Sequence, residues 1–241
     1  SWSAEGDQTL AGFGYALAAG GDVNGDGVAD LLVGVPWLDG GQPDAGAIWF
    51  YPGGPSGLAA LPTWTTQGDQ AGEQLGYSVA MAGDVNGDGL GDLIAGARGY
   101  DGLFPNEGRA FVFAGSVDGP AAAPLWSGLS STGFALYGYS VSGAGDVNRD
   151  GFDDILVGAD GYSGLFGNEG KIYLHAGSPA GPSIQPSWSF SGGQTGAFLG
   201  RSVSSGRDTN GDGYADLVAG ADGFDAASLN EGQILLFTGP F

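Results

Sequence analysis

The chain of 241 residues has no cysteine, one histidine, one methionine and only six lysines and arginines together. Without cysteine there is neither disulfide stapling nor thiol chemistry. With one histidine and no serine in a nucleophile-elbow context, no catalytic triad can be assembled. That histidine, His175, stands one repeat period from Phe113 and Phe237 and two from Tyr51, so it reads as a packed side chain at an aromatic position. The scarcity of cations leaves a formal net charge of -21, which argues against nucleic acid and anionic membranes as partners. No signal peptide is present, and no apolar run approaches the roughly 20 residues of a membrane span. The expectation is therefore no membrane insertion here, with any targeting segment already removed.

What is present is repetition. Asp22-Val23-Asn24-Gly25-Asp26-Gly27-Val28-Ala29-Asp30 recurs at Asp84 to Asp92, Asp146 to Asp154 and Asp208 to Asp216, each copy 62 residues after the last. A fixed period of this length marks a repeat array, here one domain over 1–241 with repeats at about 1–62, 63–124, 125–186 and 187–241. Oxygen-bearing side chains hold positions 1, 3, 5 and 9 of each copy, and glycine holds position 6. A short loop wraps a hard cation in this way, with alternate side chains converging and a backbone carbonyl joining near position 7. The expected ligands are Asp22, Asn24, Asp26, the Val28 carbonyl and Asp30. In the later copies they are Asp84, Asn86, Asp88, Leu90 and Asp92, then Asp146, Asn148, Asp150, Phe152 and Asp154, then Asp208, Asn210, Asp212, Tyr214 and Asp216. Asn-Gly and Asp-Gly also favour plain hairpin turns. A plain turn does not explain the carboxylate at position 9, so four structural Ca²⁺ ions per chain are expected.

A helix-loop-helix calcium hand needs Glu at position 12, where this chain has Val33, Ala95, Val157 and Ala219. These fall inside short apolar runs bounded by glycine, which read as buried strands. The loop therefore joins two strands, A and B. A third strand, C, covers Ala47 to Tyr51 and its equivalents, and a fourth, D, carries the periodic Trp2, Trp64, Trp126 and Trp188. Four short strands per repeat make an all-β propeller blade, which must stack on neighbours around an axis. The chain opens on a D strand and stops after a C strand, so residues 1–6 are expected to complete the last blade, removing a free edge.

Phe13-Gly14 followed, across the loop, by Gly34-Val35-Pro36 resembles the FG-GAP repeat of the integrin α-subunit propeller, with Gly96-Ala97, Gly158-Ala159 and Gly220-Ala221 in the same slot later. The resemblance covers all four repeats and implies a β-propeller of four FG-GAP blades, calcium hairpins on one rim, and adhesion or extracellular recognition. Integrin propellers have seven repeats, and here the motif's proline survives only as Pro36, replaced by Arg98, Asp160 and Asp222.

Exposed calcium hairpins fill best near millimolar calcium, which places the protein outside the cell or at its surface. The B–C loops lie on the opposite rim. Trp37, Asp39, Tyr100, Asp101, Tyr162, Phe224 and Asp225 there could meet a protein or glycan ligand, or the periodic aromatics could only plug the loop base. A binding scaffold is expected rather than an enzyme. The rivals are a propeller of a carbohydrate- or phospholipid-active hydrolase, which calls for one polar cluster breaking the period, and an architectural surface protein. Four blades must splay by about 90° and eight by about 45°. The A strands are rich in Ala, Ser and Gly, which suits the smaller angle, so a homodimer forming an eight-bladed ring is expected over a self-closed four-bladed monomer.

Overall fold

A computed structural model describes residues 2–241; of the segment 1–6, position 1 lies outside the described residues. The first blade is built from β1 (Ala16–Ala19), β2 (Leu31–Val35), β3 (Ala47–Tyr51) and β4 (Trp64–Gln67) in antiparallel order. The second contains β5 (Leu75–Gly83), β6 (Asp92–Ala97), β7 (Arg109–Phe113) and β8 (Trp126–Leu129), and the third β9 (Ser140–Gly145), β10 (Asp154–Ala159), β11 (Lys171–His175) and β12 (Trp188–Ser191). The fourth has three strands, β13 (Ser202–Arg207), β14 (Asp216–Ala221) and β15 (Gln233–Phe237). These are the A to D strands of the sequence, and the tryptophan strand closes the blade that precedes it in the chain. The described residues contain no helix.

The B strands read as continuous apolar runs because both faces are covered: every residue of β6 and β10 is buried. One face of each blade, here called trailing, packs on the leading face of the next. Ile48 and Phe50 thus meet Val79, Leu93 and Ala95 of blade 2, and Leu156, Ile172 and Leu174 meet Leu217 and Ala219 of blade 4. Trp64, Trp126 and Trp188 seal the outer edges of these joints by standing edge-on to Phe113, His175 and Phe237 at 5.2, 4.9 and 5.0 Å. Residues 2–6 form no strand. Trp2 stands edge-on to Tyr51 of blade 1 at 5.1 Å.

The two glycines that give the repeat its signature meet across each joint. A Cβ on Gly34 would lie 2.0 Å from the carbonyl oxygen of Gly76, and a Cβ on Gly96 or Gly158 would lie 1.9 or 2.0 Å from that of Gly138 or Gly200. Gly76 and Gly138 also have φ of 84° and 83°, a region open chiefly to glycine. Backbone thus rests on backbone between blades. Ser78 and Ser140 fasten the contact by donating to the Gly138 and Gly200 carbonyls at 2.8 and 2.7 Å.

Gly96→Ala should push blades 2 and 3 apart and cost about 1–3 kcal/mol or more, the penalty of overpacking against an immovable carbonyl. Urea unfolding reads it as a lowered midpoint. An unchanged midpoint would show that the blades yield at this contact.

Candidate calcium hairpins and the opposite rim

Each A–B loop is already folded around its own first carboxylate. In loop 1 the Asp26 and Gly27 amides donate to Asp22 at 3.1 and 2.8 Å, Asp26 also donates to the Asn24 side-chain oxygen at 3.1 Å, and the Val28 amide donates to Asp26 at 2.8 Å. Asp84, Asp146 and Asp208 receive the corresponding pairs of amides in the other loops. Position 9 differs in kind, because Asp30, Asp92, Asp154 and Asp216 are buried. Asp30 accepts from the Val23 amide of its own loop and from Gly53 in the C–D turn, both at 2.8 Å. Asp92 joins Val85 to Gly115, Asp154 joins Val147 to Gly177, and Asp216 joins Thr209 to Gly239. The periodic C–D glycines were the available signal for this second bond, and spacing alone did not reveal it.

Burial first, and then repulsion from Asp88 and Asp84, pushes the Asp92 carboxyl up to about 6, and burial with Asp150 and Asp146 does the same for Asp154. Asp30 is raised for the same reasons, whereas the Thr209 hydroxyl holds Asp216 below the ordinary range. The ion pairs among the described residues join Arg201 to Asp160 and Asp222, so no protein cation balances any loop carboxylate.

Among the described residues no three acidic side chains stand close enough to clasp an ion unaided. Asp22 and Asp26, like their equivalents, turn their oxygens onto the loop's own amides. The donor set nevertheless fits a hard divalent cation: each loop offers oxygens alone, in a preformed hairpin, with a buried carboxylate whose charge has no protein partner. Loop 3 departs at position 4. There Arg149 replaces glycine, donates to the Asp212 and Gly213 carbonyls of loop 4 at 3.0 and 2.8 Å, and lies 4.1 Å over the Tyr214 ring.

The B–C loops lie at the other end of the blades. Tyr100, Tyr162 and Phe224 pack against the cores between blades. Asp39, Asp101 and Asp225 accept the amides of Asp44, Asn106 and Asn230 within their loops, and Trp37 lies edge-on to Tyr15 at 4.8 Å. All seven rim residues therefore brace the loops. Just before strand C each of these loops turns at Asn106-Glu107-Gly108 or Asn168-Glu169-Gly170, where Glu107 and Glu169 are buried and accept the Leu103 and Leu165 amides at 3.0 and 2.9 Å. What these loops present outward is Leu103 and Leu165, each 92% exposed, with Leu229 at 81% and Phe104 and Phe166 partly exposed.

Where the motif's proline is lost, the charged substitutes pair off. Arg98 donates to Gln74 at 2.8 Å over the Tyr77 ring, and Arg201 holds Asp160 and Asp222 at 3.2 and 2.8 Å. His175 is buried. Its Nδ1 lies 2.8 Å from the Ser183 carbonyl and must donate there, so Nε2 accepts from the Tyr137 hydroxyl at 2.7 Å. Burial pulls its pKa down to about 4, leaving a neutral packed ring.

The FG-GAP repeat family matches residues 13–51, 75–113, 137–175 and 199–237. Integrin alpha-5 of Xenopus laevis is 33% identical over 238 residues, covering 93% of this chain and 21% of its own length. Integrin alpha-V of Gallus gallus is 32% identical over 225 residues, covering 90% and 20%. The chain thus spans about a fifth of the length of these curated relatives. A solved rhamnogalacturonan lyase, YesW, resembles it at a TM-score of 0.46 and 15% identity over 84% of this chain and 40% of its own, too loose a likeness to assign activity. Four matched repeats, each ending a blade's A, B and C strands where the fold ends them, make the chain an integrin-α-like member of the FG-GAP repeat family.

Proposed function

We propose that the chain is a calcium-stabilised binding and adhesion scaffold, acting outside the cell or at its surface, and not an enzyme. The observation that carries the reading is the buried, uncompensated carboxylate at position 9 of four repeated hairpins, in a chain of the integrin-like family. Asp22, Asn24, Asp26, the Val28 carbonyl and Asp30 would hold the first ion, and the equivalent residues the other three. The ion supplies positive charge that offsets the repulsion among three carboxylates. Because Asp30 also grips Gly53, holding the hairpin holds the C–D turn as well. The apolar loop tips on the opposite rim, braced from beneath by buried glutamates, are the surface offered to a protein or glycan ligand.

Chelation should destabilise the fold. A site filled at about 100 times its Kd contributes about 2.7 kcal/mol. With four sites, stripping calcium should lower Tm by more than about 10 °C. Equal melting in excess chelator and in millimolar calcium would remove calcium from the fold.

Elemental analysis should count four calcium ions per chain. Asp88→Ala, at an exposed ligand position that leaves the buried bonds of Asp92 intact, should lose one of them, and Asp39→Ala on the far rim none. Loss of metal from the Asp39 variant would put the ligands at the wrong end of the blades.

A screen of glycans and matrix proteins in millimolar calcium should find a saturable partner whose binding falls at least about tenfold in a Leu103→Ser, Phe104→Ser, Leu165→Ser variant. A partner indifferent to that variant places recognition elsewhere, and turnover of any bound glycan would make the chain an enzyme.

A further inference from the structure

The joint between blades 2 and 3 has the frame of its neighbours and a different lining. Where the other joints have Leu75 and Leu199, this one has Tyr137. Tyr173 stands in place of Phe111 and Leu235, and His175 in place of Phe113 and Phe237. On the facing strand, Gly128 replaces Thr66 and Phe190, and just beyond it Ser130 replaces Gly68 and Gly192. Each change adds a polar group to the joint or removes a side chain from it. The result is a cavity of about 510 Å³ between the end of β8 and β11, against about 230 Å³ at the equivalent place between blades 1 and 2. Gly128 opens it. In the following joint the corresponding Phe190 stacks on Trp188 and stands 5.0 Å from Phe237, filling that space. The volume lies within the roughly 300–1,000 Å³ of small-molecule sites.

The charge of the cavity runs against that of the chain. There are 27 acidic residues and six basic ones in all, yet no acidic side chain lines the cavity and Lys171 does. Between blades 1 and 2, Asp69, Glu73 and Arg109 line the smaller cavity together. One period on these are Ser131, Ala135 and Lys171, so the cation is kept and both carboxylates are gone. The Lys171 ammonium lies 5.0 Å from the centroids of both the Tyr162 and Tyr173 rings, whose faces attract the charge without occupying its N–H donors as an acceptor oxygen would. Among the described residues it forms no ion pair. The floor is fixed in advance, because the buried His175 ring takes the Tyr137 hydroxyl at 2.7 Å and gives its own N–H to the Ser183 carbonyl. With both nitrogens of His175 engaged and no carboxylate in the lining, the cavity is built to hold a ligand rather than to transform it.

We propose that the cavity between blades 2 and 3 binds a carboxylate-bearing sugar, with Lys171 meeting the carboxylate and the serine hydroxyls and tyrosine rings meeting the sugar ring. The lone cation and the missing acids select an anion. Tyr162 and Tyr173 supply apolar ring faces beside the hydroxyls of Ser130, Ser131 and Thr132. A sugar presents the complement, C–H groups on its faces and hydroxyls around its edge. A small inorganic anion would leave most of the volume unused, and a purely apolar ligand would leave Lys171 and the hydroxyls without partners. The site lies apart from the acidic hairpins and from the exposed leucines of the loop tips, so it stands independently of recognition there.

Saturation-transfer NMR titrations in millimolar calcium should compare glucuronate with glucose and galacturonate with galactose, pairs that differ only in the carboxylate. At least one uronate should saturate the protein and bind at least about tenfold tighter than its neutral partner, the size of one hydrogen bond to a charged group. Lys171→Gln removes the cation, and Ser131→Asp restores the acid of the preceding joint. Each should abolish the preference for the uronate. Both introduce side chains that the chain already carries at the equivalent positions, Gln233 and Asp69, so circular dichroism should stay unchanged, and if one variant unfolds the other carries the test. Three results overturn the proposal: no saturable binding of either uronate, neutral sugars bound as tightly as their uronates, or a uronate preference that survives in a folded variant.

Discussion

The spacing between blades is set by one contact, the carbonyl of an FG glycine lying where the Cβ of a GAP residue would be. With 2.0 Å between the Gly76 oxygen and a Cβ on Gly34, no residue but glycine permits the approach, and everything larger in the joint is sized to it. Small A-strand residues such as Ala16, Ala18 and Ala80 follow from that spacing, as do the packed aliphatic pairs farther out and the tryptophan that closes the rim. The signature of the repeat is therefore one residue pair split across two blades, and neither half has its meaning within a single repeat.

The second constraint is electrostatic. A chain with 27 acidic and six basic residues, whose buried acids include one in every hairpin, must answer each carboxylate locally. It does so in two ways. Glu107 and Glu169 are answered by backbone amides, a neutral solution that rigidifies loops. Asp92 and Asp154 also receive two amides each, yet burial, and after it the repulsion of two neighbouring carboxylates, raises their pKa to about 6. Amides satisfy their hydrogen bonds without removing the charge, and the remaining repulsion is what a divalent ion is suited to offset.

Much of this was legible in the sequence, because each repeat is an independent reading of the same blade. The A–B loop, the buried B strand and the tryptophan of strand D recur at one period, and the structure places them as the period implies. His175 was legible as an aromatic position for the same reason. Long-range contacts were not legible: the Gly34–Gly76 approach and the reach of Arg149 into loop 4 cross from one repeat to the next, and the Asp30–Gly53 tie spans 23 residues within one repeat. For the rim residues two roles were legible, ligand contact or plugging of the loop base, and Tyr100, Tyr162 and Phe224 do pack at that base. Tyr100 and Asp101 recur because they build the loop, and the exposed Leu103 and Phe104 beside them are what the built loop presents.

The two rims divide the labour in a way the topology enforces. Strand B runs from the acidic A–B hairpin to the B–C loop, so a blade has its charge problem at one end and its apolar tips at the other, separated by the fully buried residues of strands such as β6 and β10. The exposed tips therefore touch none of the hairpin carboxylates, and any change in a hairpin reaches the tips only through the order of the blade. The position 9 aspartate is the path for that effect, since this buried hairpin carboxylate also holds the C–D turn, and the C–D turn leads into the tryptophan strand that seals the next joint. Hairpin, turn and joint are thus linked in series within each blade. Disorder in one hairpin would be felt first at the neighbouring interface, and at the rim only after that.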